Sequence, residues 1–152
     1  MDYENLLKEA DSFQIIVKEK QLKQFDGLIK GRKIAIRQDI PTLVEKSCVL
    51  AEELGHFFTT SGDILDQSIA NNRKQERMAR VWAYEKQIGL SGIISGYKNK
   101  CQNRYELADF LGVTEVFLQD ALNFYKEKYG NYIEISEYII IFEPNLVVIE
   151  KI

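Results

Sequence analysis

The hydrophobic period of this chain changes at Pro41, and that change limits what it can fold into. Before the proline, Leu28-Ile29-Lys30-Gly31-Arg32-Lys33-Ile34-Ala35-Ile36 alternates about a glycine, the pattern of two short strands joined by a turn. After it, apolar residues recur at helical spacing to about Phe58. Thr42 and Glu45 mark the start of that helix. They form an S/T-x-x-E box in which hydroxyl and carboxylate satisfy each other's backbone N–H groups.

The rest of the chain extends this mixture. Tyr3, Leu6, Leu7 and Ala10 predict a first helix ending near Phe13, and a charged stretch, Lys18 to Lys23, follows Ile15-Ile16-Val17. Thr59 to Asp63 is loop chemistry, and a long helix is expected over Asn72 to Ile88. Gly92, Gly96 and the polar residues around Asn99 suggest a connection. Glu106 to Tyr129 divides at Leu111-Gly112-Val113-Thr114 into a helix-turn-helix-like pair, with Thr114 an N-cap. Tyr132 to Phe142, turning at Ser136-Glu137, and Leu146 to Ile149 are β-like. The expected class is α+β.

Composition sets the outer limits. The 152 residues are expected to form one domain, with a motif-bearing lobe over 1–90 and the helical pair and C-terminal strands over 91–152. The 45% hydrophobic and 28% charged content excludes a disordered or fibrous chain. A net charge of −3 argues against a protein built to grip nucleic acid. The second helix of the C-terminal pair opens Glu115-Val116-Phe117-Leu118-Gln119-Asp120, with acids where a major-groove reader presents cations or amides. Direct nucleic-acid binding is therefore not expected, and the pair reads as a packing or partner-docking element. Two cysteines, Cys48 and Cys101, cannot make a disulfide scaffold. With no leader pattern and no apolar run near 18 residues, a cytoplasmic protein without membrane association is expected.

One segment carries chemistry: Leu50-Ala51-Glu52-Glu53-Leu54-Gly55-His56. Glu52 and His56 stand at i and i+4, one turn apart on one helix face, with Glu53 beside them. That is the geometry of H-E-x-x-H, in which two such residues ligate a metal and the intervening Glu is a general base. His56 is the only histidine, so a third ligand must be of another type. Glu76, in Glu76-Arg77-Met78-Ala79-Arg80-Val81-Trp82-Ala83, is the best placed, because small Ala79 and Ala83 allow a second helix to pack closely. An isolated histidine near a helix end is ordinarily a hydrogen-bonded core residue, and isolated glutamates are ordinarily solvated. Here their linkage favours a metal site, as does Gly55, which costs a helix interior about 0.5–1 kcal/mol and implies close packing. Cys48, at i−4 from Glu52, reads as a buried small hydrophobe before it reads as a soft fourth ligand. Arg73, Lys74, Arg77 and Arg80 read as a solvated basic face that could steer an acidic substrate.

Leu50–His56 followed by Glu-x-x-Ala-x-x-aromatic-Ala at 76–83 resembles the ImmA/IrrE family of metallopeptidases, found on phages and integrative elements. Members cleave or antagonise a partner repressor. The resemblance implies a zincin-like helical core and a zinc ion held by His56 and Glu76, with Glu52 in the position of the family's first ligand. It makes Glu53 the base that takes a proton from the attacking water, and a phage-type repressor the protein partner. It also implies that the strands near Lys33–Arg37 hold an extended substrate as an added strand. The chain departs from the pattern at Glu52, where the family has histidine. Carboxylate and imidazole reach equally far from Cβ, but a second carboxylate weakens the ion as a Lewis acid. Slower hydrolysis, a preference for an oxygen-loving ion, or a protein that binds a repressor without cutting it would follow.

Overall fold

The computed structural model describes residues 1–60 and 69–152. The mixed α+β class holds: six helices and two three-stranded sheets are present among the described residues. The chain divides into two compact units, Met1–Gln87 and Ile88–Ile152.

The first unit contains α1 (Tyr3–Ser12), β1 (Ile16–Lys20), β2 (Gly27–Lys30), β3 (Lys33–Arg37), α2 (Leu43–Thr59) and α3 (Ile69–Gln87). Helix α2 starts where its box places it. Thr42 Oγ1 accepts from the Glu45 N–H at 3.1 Å, and the Glu45 carboxylate accepts from the Thr42 N–H at 3.2 Å. Strands β2 and β3 form the expected hairpin, turned by Gly31 at φ 60°. Strand β1, not anticipated in the sequence, pairs parallel with β3, giving the order β1-β3-β2. This revises where an added strand can lie. Both edges of β3 (Lys33–Arg37) are used, so its backbone has nothing left to offer, whereas β2 is an edge. Ile34 and Ile36 turn inward and are buried, as are Leu6, Leu50 and Leu54. Helix α3 is tied to α1 by Lys86 Nζ, 2.5 Å from Glu9 Oε1. Of the expected loop Thr59–Asp63, residues 61–63 lie outside the described residues, and Thr59 is still helical.

The second unit contains α4 (Gly89–Lys98), α5 (Arg104–Leu111), α6 (Glu115–Tyr129), β4 (Tyr132–Ile135), β5 (Tyr138–Ile141) and β6 (Val147–Glu150). Helix α4 replaces the connection expected around Gly92 and Gly96. These glycines serve packing: a Cβ on Gly92 would stand 3.1 Å from Leu111 Cδ2, and one on Gly96 would collide with Leu107 Cδ1. The helical pair appears as expected, with Gly112 left-handed at φ 69° and Thr114 Oγ1 accepting from the Phe117 N–H. The C-terminal strands form the antiparallel order β4-β5-β6 around buried Ile140, and Phe142 stacks beside fully buried Tyr125. No helix among the described residues is long and apolar enough to cross a membrane.

Candidate metal centre

The site begins with a close approach. A Cβ on Gly55 would collide with the Ala79 carbonyl oxygen and stand 3.0 Å from the Ala79 Cα. Only glycine lets α3 lie against α2 at that turn, and buried Ala79 and Ala83 supply the matching small surface. The contact sets the phase of α3. Glu76, one turn before Ala79, faces His56, and Glu76 Oε1 lies 3.3 Å from His56 Nε2.

Glu52, His56 and Glu76 each offer one donor atom, and these atoms lie within 4.8 Å of one another. Ligands about 2.1 Å from a tetrahedral ion stand roughly 3.4 Å apart. The donors stand near that spacing, so two carboxylate oxygens and an imidazole nitrogen could hold a divalent cation after small side-chain rotations. Cys48 is not in the donor group and is half-buried rather than buried.

Glu53 occupies a different environment. It is largely buried, and burial raises its pKa from 4.5 to about 7, with the charges of Glu52 and Glu76 adding to the rise. In the metal-free centre this carboxyl therefore titrates near neutral pH instead of being fully ionised there. Strand β2 runs directly against it: a Cβ on Gly27 would stand 2.9 Å from Glu53 Cγ. A groove of about 1200 Å³ opens there, with Gly27–Lys30 on one side and Glu52, Glu53, His56 and Glu76 on the other.

Two contributors escaped the sequence reading. Gly27, the residue just before the alternating run, gave only a turn signal as part of Asp26-Gly27, and nothing local marks its close approach to Glu53. Arg80 was counted only in the exposed basic run, yet its Nε lies 3.5 Å from Glu52 Oε1. Its position at i+4 from Glu76 was the available clue. The pair is largely solvent-exposed and adds little stability, but it sets a cation beside one of the three donors.

No protein-family model, curated protein or solved structure matches the chain. The reading of the centre rests on its own residues.

Proposed function

We propose that this chain is a zinc-dependent endopeptidase-like protein of the ImmA/IrrE type, carried by a mobile element and acting on a partner repressor. The observation that carries the reading is the convergence of Glu52, His56 and Glu76 from two helices, with Glu53 one residue along α2 and a strand edge across the groove. On this reading the first unit is a zincin-like core and α2 its active-site helix. Zinc, when bound, supplies the Lewis acidity that activates water and polarises a peptide carbonyl.

The chain's own residues do the rest. Strand β2 has no strand partner on its outer edge among the described residues, so an extended peptide can pair with its backbone over Glu53. The Glu53 carboxylate accepts the proton lost by the attacking water. The same carboxyl then stands beside the departing amide nitrogen and can deliver that proton to it. Gly27 leaves the room in which the peptide and this carboxylate meet.

The Glu52–Arg80 pair supports a second reading, a module that binds a repressor without cutting it. A donor already engaged by a cation, in a set with two carboxylates, makes a weaker catalytic centre. The deciding experiment combines zinc titration with a cleavage assay on the partner. The peptidase reading expects wild type to bind zinc and cleave, Glu53→Gln to bind zinc without cleaving, and His56→Ala to lose both. Equal cleavage by wild type and Glu53→Gln would overturn the role of Glu53. Zinc binding without cleavage by wild type would favour the second reading.

A further inference from the structure

The sheet of the first unit has a second face, pointing away from α2, and its composition is one-sided. The register places Ile16, Lys33 and Lys30 in one row across the three strands, and Lys18, Ala35 and Leu28 in the next. Lys20 and Arg37 follow. These residues alternate with the inward-facing Val17, Ile34, Ile36 and Ile29, so they share the outer face. Ile16 is 51% exposed and Leu28 44%, and all four lysines are exposed.

Charge on this face is unbalanced. Arg37 is held by Asp26 at 3.1 Å and by Asp39 at 2.9 Å. Glu19 points inward to Lys46. Lys18, Lys20, Lys30 and Lys33 have no ion pair or hydrogen bond among the described residues. A chain of net charge −3 thus gathers on one small sheet face four ammonium groups with no partner among the described residues. Neighbouring strands are about 4.8 Å apart and alternate residues about 6.8 Å, so the ammonium groups interleave with a shallow apolar bed of Ile16, Ala35 and Leu28, Lys33 standing between Ile16 and Lys30 in the first row.

We propose that this face docks an acidic, amphipathic segment of a partner protein, carboxylates on the lysines and apolar side chains on the bed. Charge complementarity defines the partner, and the bed distinguishes it from nucleic acid. The face has no aromatic ring to stack a base and no side-chain amide to read one. Exposed Ile16 and Leu28 would meet phosphates without gain, whereas alternating acidic and apolar residues match the pattern on both counts. Ile16, Lys18, Lys20 and Lys33 stand on the opposite side of the sheet from Glu53, and only Leu28 and Lys30, on the edge strand, also border its groove, so binding here requires no metal.

The test uses the full chain, without added zinc, and a labelled twelve-residue peptide of alternating Glu and Leu, read by fluorescence anisotropy at low salt. Polyglutamate of equal charge and a random-sequence 15-base-pair duplex are the comparison ligands. The alternating peptide should bind tightest. Replacing Lys18, Lys20, Lys30 and Lys33 with glutamine should weaken it about tenfold or more, and arginine at all four should restore it. Leu28→Ser should weaken it several-fold. A second variant, with Lys8, Lys98, Lys100 and Lys128 changed to glutamine, lowers net charge equally and should bind as wild type. No peptide binding, or equal loss in both lysine sets, would overturn the proposal. Tighter binding of the duplex that depends on the same four lysines would reassign the face to a phosphate backbone.

Discussion

Glu53 is surrounded by charge of its own sign, and that leads to a prediction opposite to the usual one for a carboxylate. Its folded pKa of about 7 exceeds the unfolded value of 4.5, so between these values the unfolded chain releases a proton that the folded chain keeps. Its contribution is most favourable below pH 4.5, is lost as pH rises through 7, and is level beyond. In chelator, Glu53→Gln should flatten that dependence and leave the metal-free protein more stable at pH 8, by on the order of 3 kcal/mol at most. Urea midpoints of both proteins at pH 5 and pH 8 check this. A wild type equally stable at the two values would show that Glu53 ionises freely. Arg80 gives the second residue-scale prediction. Arg80→Gln removes a positive charge from beside Glu52 and should tighten zinc binding about threefold at low salt, with the gain shrinking at 1 M salt. Weaker zinc binding by the variant would mean that Arg80 acts by holding Glu52 in place.

Between elements, the α2–α3 contact at Gly55 decides whether the donors meet. Gly55→Ala inserts a methyl group into the Ala79 carbonyl, so the helices must separate at a cost of about 1–3 kcal/mol. Glu76 then moves from His56, and zinc affinity should fall together with stability. Thr42→Ala is the contrast. It removes a cap at the far end of α2, costing about 1 kcal/mol, and should leave zinc affinity unchanged once the protein is folded. Paired thermal melts and chelator-competition titrations separate the two effects. The elements also show what a local pattern can convey. Helix α2 was legible because cap, period and length agree within one stretch. Helix α4 was not, because its glycines read as loop residues until Leu107 and Leu111 are seen to occupy the space they leave. Strand β1 was missed because three of its five residues are charged and its partner β3 lies beyond an intervening strand.

At the scale of the whole chain, every donor lies in the unit Met1–Gln87. Ligand that binds only the folded state stabilises it by mass action, about 2.7 kcal/mol at a hundredfold excess over Kd. Zinc should therefore raise the melting temperature of wild type and not of His56→Ala. In hydrogen exchange, the added protection should be strongest in α2 and α3. Protection confined to the unit Ile88–Ile152 would place the ion elsewhere.

Local sequence was enough for the pieces: the capped α2, the hairpin over Leu28–Ile36, the helical pair hinged at Gly112, and Glu52, Glu53 and His56 on one helix face. These depend on local backbone preference and on periodicities spanning a few residues, which any single stretch of chain displays. Glu76 stood at the limit of that reading, suggested by its small neighbours but not located by them. Packing alone brought Glu76 to His56, β2 onto Glu53 at Gly27, Arg80 to Glu52, and four lysines onto one sheet face. Each depends on contacts between elements distant in sequence. Helix phase and strand register set those contacts, and they are fixed only when the elements pack.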